Sequence, residues 1–182
     1  MSLQMYDASV PAFIAALTNL SALLAKGAAH ADAKKFDPSI LVNARLAPDM
    51  FPLARQVQIA SDGAKGGGAR LAGVDVPSFP DTETTFPELQ DRIQKTITFL
   101  KTLKAEQING SEKKAITLKV GGNEMSFEGQ PYLLNFVIPN LYFHISIAYA
   151  ILRHNGVDVG KMDFLGKIQQ QQAHAVKDKG GR

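Results

Sequence analysis

The chain has 182 residues, of which 45% are hydrophobic and 20% charged, as is typical of a single globular domain. It contains no cysteine, which excludes disulfides, thiolate metal ligands and cysteine nucleophiles. The net charge is +3, but the 20 basic residues are scattered among 17 acidic ones, so we expect no nucleic-acid partner.

The first residues lack the basic stretch and the apolar core that make a signal peptide. No uninterrupted run of about 18 apolar residues is present, which is the length that a membrane-spanning helix needs. We therefore expect no membrane partner, and the absence of cysteine fits a cytoplasmic protein.

The first predicted helix covers residues 10–26. Apolar residues from Val10 to Leu24 recur there at three- and four-residue steps, and Ser9 stands where a capping side chain is preferred. Residues 30–48 are mixed in character and predicted to be irregular, apart from a short helical turn at residues 40–42.

A second helix is predicted from about residue 49 to residue 71, with Pro52 in its first turn. Three consecutive glycines, residues 66–68, fall inside it, and each costs about 1 kcal/mol relative to alanine. Either the helix weakens there or a neighbouring backbone packs very close, and we favour the weak point.

A linker with two prolines is predicted over residues 72–83, and a third helix follows it to about Leu103. Thr85 and Glu88 are spaced as a capping box, in which each side chain satisfies the backbone N–H of the other residue. After residue 115 the apolar residues alternate on either side of Gly121 and Gly122, which predicts a β-hairpin.

The last long helix is predicted over residues 130–155. It is apolar on most sides, which is typical of a buried central helix. Pro139 should kink or restart it, and Gly156 should end it. We assign residues 1–166 to one domain and residues 167–182 to a polar tail. The fold class is therefore mostly α, an up-down four-helix bundle with a small β-hairpin between helices 3 and 4.

The four histidines do not form a helical metal site. No two of His30, His144, His154 and His174 are three or four residues apart, the spacing that places two imidazoles on one helix face. His30 and His154 suit helix ends, where the helix dipole favours a cation. His174 lies in the polar tail, where the sequence pattern indicates no role for it.

His144 is the main candidate site residue, because it lies within the most apolar helix. Asn140 precedes it by one helical turn, and Gln58 and Asp62 are one turn apart on the second helix. These four residues, with Tyr142, form the predicted ligand pocket. The alternatives are a core histidine bonded to a neighbour, an Asp62 that faces water, and a tyrosine that belongs to the core. No catalytic residue follows from the sequence.

Several segments resemble an uncharacterised bacterial family known only as a domain of unknown function. They are LAPDMFPL at residues 46–53, FPEL at residues 86–89 followed by Arg92 and Ile93, PNLYFH at residues 139–144 and ILRHNGV at residues 151–157. The resemblance covers about residues 3–166. That family is similar to the DinB-like superfamily of four-helix bundles, many of them regarded as metalloenzymes, and some of these relatives use bacillithiol or mycothiol in thiol transfer.

The resemblance implies a metal site that is largely lost. The superfamily usually has one histidine on the second helix and two on the last helix, four residues apart. His144 matches the second of the last-helix pair, Asn140 stands where the first would be, and the second-helix position falls near Gln58 or Asp62. Because neutral amides bind divalent metals weakly, we predict no metal cofactor. If zinc or nickel binds at all, His144 is the ligand.

Three functions follow as hypotheses. The first is a module that binds a small ligand in the polar pocket. The second is a DinB-like metal-dependent hydrolase or thiol transferase with a degraded site. The third is a structural or stress protein that forms a homodimer through an apolar face.

Overall fold

The structure is a computed structural model that describes residues 3–166. Its four long helices are α1 (Val10–Lys34), α3 (Leu53–Ala72), α4 (Phe86–Leu100) and α7 (Ile138–His154). The shorter elements are α2 (Ser39–Val42), α5 (Ala105–Ile108), α6 (Gly129–Pro131), α8 (Lys161–Leu165) and the antiparallel hairpin of β1 (Ala115–Val120) and β2 (Asn123–Glu128). The predicted mostly helical bundle, with a hairpin between its third and fourth long helices, is confirmed.

The directions of the long helices follow from the residues that meet between them. These pairs are Gln56–His144 and Gly67–Val137 for α3 and α7, Asp62–Arg92 and Gly68–Leu100 for α3 and α4, and Ser21–Gln90 and Gly27–Phe86 for α1 and α4. α3 is therefore antiparallel to α7 but parallel to α4, and α1 is antiparallel to α4. The predicted up-down arrangement is thus refined to up, down, down, up.

The linker of residues 73–85 makes the parallel pair possible, because it returns along α3 before α4 begins. The predicted capping box at its end is confirmed: the Glu88 backbone N–H donates to Oγ1 of Thr85, and the Thr85 N–H donates to the Glu88 carboxylate at 3.0 Å. The helix start is thereby fixed at Phe86.

α1 departs from its prediction at both ends. Its first residue is Val10, but Ser9 does not cap it: the Ser9 hydroxyl donates to the carbonyl of Met5 at 2.7 Å instead, within the preceding turn. The helix also continues past residue 26 to Lys34. Gly27 and Ala31 are buried on this extension, and its alanine-rich composition favours a helix.

The predicted weak point at residues 66–68 is wrong. α3 runs without interruption from Leu53 to Ala72, and all three glycines are buried. A Cβ on Gly67 would lie 2.6 Å from Cγ1 of Val137, and a Cβ on Gly68 would lie 2.8 Å from Cδ1 of Leu103. The glycines therefore admit side chains of the neighbouring elements. Pro52 precedes the helix with extended backbone, so α3 starts later than predicted.

The last long helix restarts at Pro139, as predicted. Residues Tyr132–Val137 form a π-helix, here called the π segment, and Pro139 then lies in the first turn of α7. The wider turn precedes a residue that has no N–H to donate and whose ring crowds the α-helical carbonyl before it. Gly156, with φ +85°, ends the helix as predicted.

Two helical stretches, Val10–Lys34 and Gly129–His154, have the length and apolar composition that would let them cross a membrane. The core helix of a soluble protein meets the same criterion, and the inward faces of both stretches line the hydrophobic core. The absence of a membrane span stays a prediction from sequence. The predicted polar tail and His174 lie outside the described residues.

Candidate functional site

A pocket of about 640 Å³ opens where α3, the π segment and the hairpin meet. Its wall combines aromatic and aliphatic side chains with a few polar groups: Phe51, Arg55, Ile59, Asp62, Gly63, Arg70, Leu118, Lys119, Gly121, Tyr132, Phe136, Val137 and Asn140. The size and the mixture are typical of a small-molecule site. The hairpin contributes Leu118, Lys119 and Gly121 to one side of the pocket. Its turn is tight, and Gly121 and Gly122 both have the positive φ that such a two-residue turn requires.

Arg70 and Tyr132 form the polar contact at one end of the pocket. Nη1 of Arg70 donates to the Tyr132 hydroxyl at 3.3 Å. Burial raises the pKa of Tyr132, and the nearby charge of Arg70 opposes that rise, so the phenol stays protonated at neutral pH. Since its oxygen accepts from Arg70, the Tyr132 O–H remains a potential donor.

A second polar group, centred on Arg92, lies behind the pocket. The Arg92 side chain is 1% exposed and contacts Asp62 at 2.9 Å, Asp81 at 2.8 Å and Glu83 at 3.0 Å. Burial alone would lower the pKa of Arg92, but the hydrogen bond to Glu83 and the three carboxylate charges outweigh it, and the net shift is upward. This cluster ties the linker to α3 and α4.

Two more cations belong to this cluster. Nζ of Lys65 lies 2.9 Å from Oδ1 of Asp62 and 4.0 Å from the centre of the Phe79 ring. Arg55 forms an ion pair with Asp81. Three basic side chains therefore balance three carboxylates, and Asp62 is shared by two cations.

His144 lies one helical turn beyond Asn140, and its side chain is hydrogen-bonded within the bundle. Nδ1 of His144 is 2.7 Å from Oε1 of Gln56, and Nε2 of Gln56 donates to the carbonyl of Phe51 at 2.9 Å. This orientation of the amide makes Nδ1 the protonated ring nitrogen. Burial, and secondarily the charge of Arg55, lower the pKa of His144, so the imidazole is neutral at neutral pH.

The structure brings two of the five predicted site residues to the pocket wall. These are Asn140 and Asp62. Gln58 is directed to the linker, where its Nε2 donates to Glu83 at 3.0 Å. His144 is 8% exposed and bound to Gln56, and Tyr142 is 40% exposed on the outside of α7.

The polar residues at or near the pocket that were not among the predicted site residues include Gln56, Arg55, Arg70, Lys119 and Tyr132. Gln56 could have been identified from the sequence, because it is a polar residue within the apolar stripe that includes Leu53 and Val57. The two arginines could not, since isolated basic residues on a helix ordinarily face solvent.

The residues present do not fit the divalent metal that the resemblance implies. Within residues 3–166, no three histidine, aspartate or glutamate side chains are placed to share an ion. At the matched positions the chain offers one imidazole, that of His144, and the amides of Asn140 and Gln58. His144 could bind an ion only through Nε2, because Nδ1 carries the proton donated to Gln56. Amides are weak ligands for zinc or nickel.

Comparison with solved structures places the chain beside a bacterial relative. The crystal structure of a DinB family member protein from Shewanella denitrificans, at 1.83 Å resolution, is 43% identical in sequence and has a TM-score of 0.81. The match covers 90% of this chain and 93% of that one. A search of curated proteins gave no match.

The profile of the family described as Domain of unknown function (DUF1993) matches residues 5–165, nearly the whole described part of the chain. The predicted resemblance to a DinB-like family of unknown function is thereby confirmed. The chain belongs to the DUF1993 family and has the helical-bundle fold of its DinB-family structural neighbour.

Proposed function

We propose that the protein binds a small organic molecule in the pocket between α3, the π segment and the hairpin. One observation carries the proposal: a cavity of about 640 Å³ has aromatic walls and convergent polar groups from Asn140, Arg70 and Tyr132. Pockets of roughly 300–1,000 Å³ with this character are the usual sites of small ligands.

The surrounding polar residues favour binding over catalysis. Asp62 is held by Arg92 and Lys65, and the Nδ1 hydrogen of His144 is committed to Gln56. Among residues 3–166, no hydroxyl side chain is hydrogen-bonded to Nε2 of His144 or to Asp62, so neither group has a nucleophile in place to activate. A hydrolase or thiol transferase that uses a metal finds no support in the donor set.

A variant that fills the pocket tests the proposal. Gly63 lines the cavity inside α3, and a Cβ added there would meet only the Asn140 amide, at 3.3 Å. Gly63→Leu should fold, because leucine is a better helix former than glycine, and its side chain should occupy the cavity. Gly160→Leu is the matched control, since nothing lies within 4 Å of a Cβ at that position, outside the pocket.

Ligand-observed NMR with a library of small acids, amides and alcohols provides the readout. Compounds that bind the wild type and Gly160→Leu should lose binding to Gly63→Leu. If the same compounds bind all three proteins equally, or none binds the wild type, the proposal is refuted. Elemental analysis of untagged protein and titration with zinc and nickel test the metal-dependent alternative. A stoichiometric ion that His144→Ala loses would replace the proposal.

A further inference from the structure

Resting on the proposed function, we propose that the ligand is a small monocarboxylic acid with an apolar body, and that Arg70 binds its carboxylate. The inference rests on charges that are left unbalanced at the pocket, on the position of Arg70 and on the apolar walls.

The pocket wall carries more positive charge than negative. Its ionised side chains are Arg55, Arg70 and Lys119 against Asp62. Arg55 is paired with Asp81, and Asp62 is shared by two cations of the Arg92 cluster. Among residues 3–166, no carboxylate lies within ion-pairing distance of Arg70 or Lys119. An anion is therefore the ligand that would complete the site.

Arg70 is the better placed of these two cations. It is half-buried, and its guanidinium is held by the Tyr132 hydroxyl, whereas Lys119 is exposed on the hairpin at the edge of the pocket. Only one of the five N–H groups of Arg70 is used in that hydrogen bond, so a fork of donors remains for a planar carboxylate. The side chain of Tyr132 is 1% exposed, which fixes the partner in position.

The absence of a side chain at Gly66 leaves the space that the Arg70 guanidinium occupies. A Cβ at residue 66 would collide with Nη1 of Arg70, so the guanidinium packs directly over the glycine backbone. A larger residue would move Arg70 without removing its charge. Gly66 is thus a positioning residue for the proposed anion site.

The rest of the pocket wall favours a ligand whose uncharged part is apolar. Phe51, Ile59, Phe136 and Val137 are apolar, and burial of an apolar group against them contributes about 25 cal/mol for each Å² removed from water. One half-buried, unpaired guanidinium matches a single negative charge. A dianion such as a phosphate monoester would call for a second unpaired cation beside Arg70. Lys119, by contrast, is exposed at the edge of the pocket, and Arg55 is paired with Asp81.

Calorimetric titration of the full chain with matched pairs of acids and amides tests the inference. The probes are hydrocinnamate with hydrocinnamamide and octanoate with octanamide, and phenylphosphonate represents a dianion. In 0.15 M NaCl the acids should bind the wild type about 10- to 100-fold more tightly than the amides, as expected for hydrogen bonds to a charged group. In Arg70→Gln this preference should vanish, and in Gly66→Ala it should fall although the arginine is retained.

Each outcome separates the inference from the proposed function. If the amides bind as tightly as the acids, or if Arg70→Gln keeps the preference, the monocarboxylate assignment is overturned while the pocket remains. If phenylphosphonate binds more tightly than hydrocinnamate, the ligand class is wrong. If neither acids nor amides bind, the monocarboxylate assignment is overturned, and the library screen decides the proposed function separately. If the acids bind but Gly63→Leu leaves their binding unchanged, both the inference and the proposed function fall.

Discussion

Replacement of Gly67 by alanine should destabilise the protein even though alanine is the better helix former. The added Cβ would lie 2.6 Å from Cγ1 of Val137 and 3.4 Å from the ring of Phe13. Val137 cannot easily turn away, because a β-branched side chain in a helix has one strongly preferred rotamer and this one is buried. Overpacking costs about 1–3 kcal/mol and the gain in helix propensity is about 1 kcal/mol, so we expect a net loss of about 1 kcal/mol.

Urea denaturation of a double-mutant cycle measures this contact. Val137→Ala alone should cost about 2 kcal/mol through lost burial and a cavity. The double mutant Gly67→Ala/Val137→Ala should lose less stability than the two single mutants added together, because the methyl group added at residue 67 enters the cavity left at residue 137. Gly63→Ala is the matched control: its only close contact is the Asn140 amide, so we expect a gain of up to about 1 kcal/mol. A stabilised Gly67→Ala, or effects that add within about 0.5 kcal/mol, would refute the reasoning.

Two further predictions concern ionisable groups. Because the pKa of His144 is lowered in the fold, the unfolded chain binds its proton first, and stability should fall as the pH drops below about 6.5. Denaturation at pH 7 and pH 5 should show this loss in the wild type and a smaller one in His144→Gln; equal losses would contradict the assignment. Arg92→Met should cost about 3 kcal/mol, because the partly buried Glu83 and two aspartates lose their shared cation. A loss below about 1 kcal/mol in thermal or urea unfolding would show that the cluster is dispensable.

Local signals in the sequence were sufficient where one short segment decides the structure. The capping box of Thr85 and Glu88 involves side chains and backbone only three residues apart, and the hairpin alternation of Ile116 and Leu118 is equally local. Such features need no knowledge of neighbouring elements. They were predicted correctly for that reason.

The candidate site was harder to predict from the sequence, because α3 packs against two helices at once. The apolar period identifies its inward side but not which neighbour each residue meets. Gln56 and Gln58 differ by two residues, or about 200° around the helix, so one contacts His144 on α7 while the other reaches Glu83 in the linker. The same limit applies to the glycines, since Val137 and Leu103 approach them from distant parts of the chain.

The π segment sets the rotational phase between the two parts of the last long helix. Its hydrogen bonds span five residues instead of four, and one residue corresponds to about 100° of rotation in an α-helix. Loss of one residue from this segment would turn Tyr132 away from Arg70 while Asn140 kept its place against α3. The number of residues in the π segment therefore fixes the orientation of Tyr132 relative to Asn140 on the pocket wall. A relative with one residue fewer here would be expected to bind a different ligand.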